Sequence, residues 1–500
     1  MKPHNLYYRI ALFLIPGGIS LLPLVNTGCA SSKILTAHPP GTQKPAEKPD
    51  TVSTVRGQDT ISSPASSESD NLDFGQAFED TSMFPVEEPR TVMDSETPAA
   101  GDSRVAKDNK RVSSLRYPDI SVPARKARVA LVRNKLNYSL YSVGKVTLHG
   151  PRRNDRRTVR GRIAIEASSS ENRVLLSAGS GNKREVAVPC TLLSESEYNF
   201  IELDDGTYRG AMIIITEKTG KLSLVNYLDV EDYLRGVVPL EIGHRKINEI
   251  EAVKAQAVAA RTYTYRKISD KQHAPFDLVA TVADQVYGGV NAESRMCDKA
   301  VRLTEGLVMT CRDSLIFAYY HSTCGGKTAN IEDVWKKPQQ PYLQSIRDCD
   351  ENGKAYCSIS KYYNWTETWP ARTLSSIINR NGGDSGCRGT IKGMKIKWRY
   401  SCGRIAGLVV HTSQGTCTLS GDKIRFVFRR NSAGNPILRS CNFRIVSGNS
   451  RTVTIEGRGY GHGVGMCQMG AVGRARAGQR FEEILAAYYS GIELKTAVVE

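Results

Sequence analysis

The chain contains no unbroken apolar run long enough to cross a bilayer, which takes about 20 predominantly apolar residues. The best stretch, IALFLIPGGISLLPLV at 10–25, is interrupted by Pro16, Gly17 and Gly18. Lys2 and Arg9 precede it, so it reads as the apolar part of an export signal. Aromatic residues are scarce from 30 to 115, where Pro, Ser, Thr, Asp and Glu dominate. Such a segment cannot offset the entropy of ordering, which excludes a packed core and predicts a disordered tether. Acid is also in short supply: 51 Asp+Glu stand against 68 Lys+Arg, a net charge of +17. Much of that acid lies between 50 and 102, including Asp59, Glu68, Asp70, Glu79, Asp80, Glu87 and Glu88. The remainder is therefore more basic than the total. A basic body favours an anionic partner, whether nucleic acid, membrane surface or acidic polymer, and charge alone does not choose among them.

The apolar stretch ends in Val25-Asn26-Thr27-Gly28-Cys29-Ala30-Ser31-Ser32. Gly then Cys followed by small residues resembles a bacterial lipoprotein processing site, with Cys29 becoming the lipidated N-terminus. Asn26 departs from that pattern, where an aliphatic residue is usual. The expectation is an exported, envelope-located lipoprotein held at the membrane; plain secretion and an uncleaved anchor remain open.

Five hundred residues exceed one ordinary domain, and 40% hydrophobic content can bury a substantial core. From 117 to 225, short β-branched runs such as ARVALV, GRIAIEA, REVAVPCTLL and GAMIIITE alternate with turn residues. Strands are expected to run on through KLSLVNYLDVEDYL into an apolar run ending at Glu241. A helix is expected from Ile247 or Asn248, with Ile250, Val253, Ala257, Ala260 and Thr264 on its buried face. Lys254 and Arg261, seven apart, project from one side of it. The fold class is α+β, a β-rich N-terminal part followed by a mixed strand and helix domain. The expected organisation is a signal at 1–29, a tether at 30–115, a β-rich accessory region at 116–204 and a catalytic domain at 205–497. Late in the chain, Gly459, Gly461, Gly463 and Gly465 alternate around His462, a pattern that permits backbone to approach a ligand.

Five pieces then stand in order: NYLDVEDYLRGVVPLE at 226–241, AVKAQAVAARTY at 252–263, DQVYGG at 284–289, YYHSTCGGKT with EDVW at 319–335, and GYGHGVGMCQMGA at 459–471. Together they resemble the bacterial stage II sporulation protein D family, related to amidase enhancers. The resemblance spans roughly 205–495, and residues 1–200 share none of it.

The resemblance implies a peptidoglycan lytic transglycosylase. Such an enzyme cuts the β-1,4 bond between N-acetylmuramic acid and N-acetylglucosamine, using the muramic 6-hydroxyl as nucleophile and leaving a 1,6-anhydro end. Glu241 matches the catalytic acid, and its apolar neighbours 237–240 would raise its pKa. Read alone, it is more readily a helix-leading charge that complements the dipole than a catalyst. Lys254, Gln256 and Arg261 would bind sugar amides or the lactyl carboxylate of peptide-free strands; Asp284, Gln285, Tyr287, His462 and Gln468 are further candidates for the cleft. The alternative is a non-catalytic glycan-binding enhancer of a cell-wall amidase. The implied partners are glycan strands, an amidase and, through the lipid, the membrane; nucleic acid is disfavoured by the export signal.

Of twelve cysteines, eleven follow Cys29. In an exported chain, disulfides are the first reading. His321, Cys324, Cys349 and Cys357 could instead form a one-His, three-Cys zinc site of structural type, and some family members hold zinc near this histidine. No cofactor is required for the implied reaction.

Overall fold

The structure, a computed structural model, describes residues 117–499 apart from 180, 197, 205, 435, 449 and 450. The expected signal, Cys29 and the tether lie outside these residues. The fold is mixed α+β. Among the described residues, no helix is long and apolar enough to cross a membrane.

The largest sheet crosses the expected boundary at 204. Its order is Leu278–Val279, Lys126–Lys135, Leu222–Asp229, Ala211–Thr216, Cys190–Ser194, Asn137–His149, Arg157–Ala167, Arg173–Ala178 and Arg184–Ala187. Met212 pairs with Leu192, and Asp229 with Lys126. The strands from Lys126 to Leu203 and the first strands of the expected catalytic region thus form one sheet. Pairing partners far apart in sequence leave no local mark, so the boundary was not legible there.

A smaller sheet is closed by Glu493–Val499. This strand runs parallel to Asp119–Val122 and antiparallel to Leu307–Cys311.

Helix α1 (Val230–Ile242) replaces the strand expected after Leu222–Asp229. Asp229 caps it, its carboxylate accepting from Glu231 N at 2.9 Å. Val230, Tyr233, Leu234, Val237 and Val238 are buried at helical spacing. The β-branched run looks strand-like, but the cap and the 3.6-residue period decide for helix.

Helix α2 (Ile250–Asp270) follows, close to expectation. Its alanines are buried on every side, so it runs through the core rather than along a cleft. It packs on α1, on α3 (Arg295–Leu303), and on the two late helices Gln468–Arg476 and Phe481–Tyr488. Small side chains let these neighbours approach; they do not open space for a ligand.

A second core lies within 365–455. Trp365, Trp369, Leu374, Ile378, Leu408 and Phe428 are among its members. Helix α4 (Ala371–Asn381) packs there with two three-stranded sheets. Cys387 and Cys417 form a disulfide in it, as an exported chain allows. The region expected as one catalytic domain therefore carries an insertion with its own interior. Two helices complete the first core, α5 (Gln468–Arg476) and α6 (Phe481–Tyr488).

Candidate active site

Glu241 lies in the last turn of α1, one residue before its end. It does not lead a helix, so the dipole-complementing role is reversed: a negative charge here is disfavoured. The residue keeps a partly exposed face, yet its carboxyl group is desolvated, and that burial pushes its pKa up from 4.5 to about 7. Three donors pull the other way without winning. Val286 N–H donates to Oε1 at 3.0 Å, and the side chains of Gln468 and Tyr320 donate as well. Among the described residues, no neighbouring carboxylate contributes to the rise.

Each donor is held from behind. The 284–289 loop closes on α1 at Gly236, where a Cβ would fall 2.6 Å from the Tyr287 ring and 2.8 Å from Gly289 O. That approach brings Val286 N to Glu241. Gln285 is fully buried. Its Oε1 accepts from Thr264 at 3.0 Å and Tyr233 at 3.3 Å, while its Nε2 donates to Tyr320 Oη at 3.0 Å. Tyr320 Oη, already accepting, is left to donate to Glu241. Gln468 opens α5, and its Nε2 donates to Gln256 Oε1 at 3.3 Å. That bond fixes which end of the Gln468 amide faces the acid.

Of the expected site residues, Gln256, Gln285 and Gln468 belong to this network, Gln256 and Gln285 by holding others. His462 holds it too. Its Nδ1 accepts from Val464 N at 3.1 Å, so Nε2 carries the proton and donates to Tyr320 O at 3.0 Å. Burial lowers its pKa to about 4, keeping it neutral at pH 7. The glycine run packs on protein, not ligand: at Gly465 (φ 69°), a Cβ would lie 2.0 Å from Tyr319 O.

Other expected residues lie elsewhere. Arg261 is fully buried. Its guanidinium forks onto Glu231 at 2.7 and 2.7 Å and donates to Leu307 O at 3.1 Å and Val301 O at 3.3 Å. Lys254 pairs with Glu251 at 2.6 Å and lies over the Phe481 ring. Neither forms the carboxylate-binding wall expected of them. Asp284 holds its own loop, accepting from Val279 N and Tyr263 Oη at 3.0 and 2.9 Å. Tyr287 is buried and donates to Asn226 at 3.0 Å.

Sequence reasoning missed Tyr320. It stands next to His321 in the two-residue strand Tyr320–His321, which pairs in parallel with Met466–Cys467. Strand alternation sends the two side chains to opposite faces, and that was the available signal. Removing the Tyr320 hydroxyl removes a bond that favours the charged acid. In Tyr320→Phe the Glu241 pKa therefore rises, measurable as a higher titration midpoint of its carboxyl in pH-resolved infrared difference spectra.

The expected zinc set does not assemble. His321 Nδ1 donates to Val464 O at 3.1 Å while Nε2 is buried without a partner. The Cys349 thiol points to Gly326 O at 3.6 Å. Cys324 and Cys357 do meet, Sγ to Sγ at 3.5 Å, in the company of Cys467 and Asp348.

Residues 218–311 match the family described as Stage II sporulation protein, SpoIID. The chain carries a SpoIID domain. A second match, to a domain of unknown function, DUF8618, covers residues 354–465 and coincides with the inserted core. An uncharacterised protein of Brachyspira hyodysenteriae is 29% identical over 291 residues, 57% of this chain and 72% of that one. The Bacillus subtilis amidase enhancer is 31% identical over 306 residues, 52% of this chain but 40% of the enhancer. The stage II sporulation protein D of Bacillus subtilis is 28% identical over 295 residues, 56% of this chain and 78% of that protein. The SpoIID match contains Glu241, Gln256 and Val286; Tyr320 and Gln468 come from beyond it, on either side of the insertion.

Proposed function

We propose that this chain is a peptidoglycan lytic transglycosylase with Glu241 as its acid and base. A role at the cell wall follows from the SpoIID domain and from relatives named stage II sporulation protein D and amidase enhancer. The observation that carries the finer reading is a desolvated carboxyl, poised near pH 7 among neutral donors and, among the described residues, with no second carboxylate contributing to its shift. An ordinary glycosidase needs a second carboxylate, about 5–5.5 Å or 6.5–9.5 Å away. An intramolecular nucleophile needs none. Glu241 gives its proton to the leaving glycosidic oxygen as the C1–O bond breaks. Its carboxylate then takes the 6-hydroxyl proton as O6 bonds to C1. Atoms balance without water, and the acid returns to its starting form.

With Arg261 and Lys254 committed elsewhere, we assign the lactyl carboxylate to Arg245, which lies four residues after Glu241. It caps the end of α1 with Nε on Ile242 O at 2.7 Å and approaches Met469 Sδ of α5 at 3.8 Å. Arg245→Ala lowers kcat/KM on peptide-free glycan by about 10–100-fold, mostly through KM, if one charge-assisted bond of about 1.5–3 kcal/mol is lost.

Mass spectrometry of amidase-treated peptidoglycan after incubation with the chain tests the reaction directly. Products ending in 1,6-anhydro-muramic acid support it; reducing ends would mean hydrolysis. Binding without any new end would favour the second reading, a glycan-holding enhancer of an amidase, to which the enhancer relative lends support. In either case the envelope is the working location, consistent with a disulfide-bearing chain.

A further inference from the structure

The strongest feature that the proposed reaction does not use is the cluster of Cys324, Asp348, Cys357 and Cys467. All four side chains are buried, and one ligand atom from each lies within 4.8 Å of the others. They come from far-apart places: the turn after Tyr320–His321, the loop leading into the inserted domain, and the residue before α5.

Buried free cysteines usually behave as small hydrophobes and need no donors. These sulfurs are ringed by backbone N–H groups. Gly326 N donates to Cys324 Sγ at 3.3 Å. Cys324 N and Gly470 N donate to Cys467 Sγ at 3.1 and 3.2 Å. Gly325 and Gly326 also donate to Cys357. Such donors stabilise thiolates, which are the metal-binding form. The two sulfurs at 3.5 Å are near the roughly 3.8 Å expected of thiolates on one tetrahedral zinc with bonds of about 2.3 Å.

Asp348 is fully buried. Arg474 Nε donates to its Oδ1 at 3.0 Å, and Tyr488 Oη to its Oδ2 at 2.9 Å. Oδ2 is also the oxygen nearest Cys324 Sγ, at 3.4 Å. An outer layer that orients a carboxylate in this way accompanies metal ligands. Arg474 offsets part of the negative charge that three thiolates and a carboxylate would leave on a divalent ion. Gly470 completes the fit, since a Cβ there would fall 2.2 Å from Asp348 Oδ2.

We propose that Cys324, Cys357, Cys467 and Asp348 bind one soft divalent cation, zinc by donor type, as a closed structural site. Three sulfurs and one oxygen fill a tetrahedron and leave no open position for water activation. The ion takes the place of the thiol protons, which go to solvent. The site stands independently of the reaction assigned to Glu241, but it braces that residue's partners. Cys467 immediately precedes Gln468, and Cys324 follows Tyr320 by four residues.

The test uses the full-length chain, stripped by chelator under reducing conditions and titrated with Co²⁺ alone, then with Zn²⁺. Expected are one Co²⁺ per chain, thiolate-to-cobalt charge-transfer absorption with tetrahedral visible bands, and displacement by Zn²⁺. Cys467→Ser loses the sulfur bands, whereas Cys349→Ser keeps them. Tyr488→Phe, which removes only the hydroxyl behind Asp348, weakens binding about 10–100-fold and keeps the test open should Cys467→Ser fail to fold. The proposal is overturned by an absence of thiolate–cobalt absorption, or by a spectrum lost in Cys349→Ser but retained in Cys467→Ser. A Cys324–Cys357 disulfide in non-reducing peptide maps of the isolated protein would overturn it equally.

Discussion

Glu241→Gln lowers anhydro-product formation on peptide-free glycan by about 10²–10⁴-fold, the usual worth of a positioned acid–base group. The amide is isosteric and can keep an acceptor oxygen for the Val286 N–H, so the loss reports proton transfer and not collapse of the loop. Activity within tenfold of wild type would remove Glu241 from the mechanism. The same variant is expected to be more stable above neutrality. The carboxyl's ordinary pKa of 4.5 is raised to about 7 in the fold. Between those values the folded chain holds a proton that the unfolded chain has lost, so stability falls as pH rises through that window. Below it both states are protonated and the penalty vanishes. Gln carries no such penalty, so Glu241→Gln gains about 1–3 kcal/mol at pH 8 and little at pH 4. Calorimetry at the two pH values reads this directly, and a more stable but inactive variant is the pattern expected of a functional group held against its solvation preference.

Arg261→Met lowers folding stability by about 3–5 kcal/mol, since it strands the half of a buried ion pair contributed by Glu231. Arg261 joins α2 to the first turn of α1, to the end of α3 and to the strand Leu307–Cys311. Lysine does not rescue it, because the two parallel bonds to Glu231 need a fork. Urea unfolding measures the loss. At a temperature where the variant stays folded, KM should be unchanged; a raised KM with normal stability would return Arg261 to the substrate.

These two residues mark what the chain disclosed and what it hid. Glu241 was singled out through motif order, and α2 through its apolar period. That α1 is a helix was obscured by its β-branched run, because Asp229 signals a cap only once the strand before it is known to stop. The partner of Arg261 was hidden for a different reason. Glu231 lies 30 residues away, and nothing local distinguishes a paired cation from a free one. The cysteine set failed in the same way. Spacing drew in Cys349, a neighbour by number, and left out Cys467, a neighbour only through the parallel pairing of Tyr320–His321 with Met466–Cys467. Tyr320 was inside a quoted motif, but its hydroxyl acquires a role only when Gln285 is packed behind it.

The strand Glu493–Val499, lying between Asp119–Val122 and Leu307–Cys311, bears on timing. A chain delivered from its N-terminus cannot close that sheet until residue 499 has emerged, and such distant pairing is slow to form. Glu241 waits likewise for Gln468. Until residue 468 has been made and packed, the proposed cutting group therefore lacks one of its three donors. The proposed acid site is thus complete only when segments from both halves of the fold are in place.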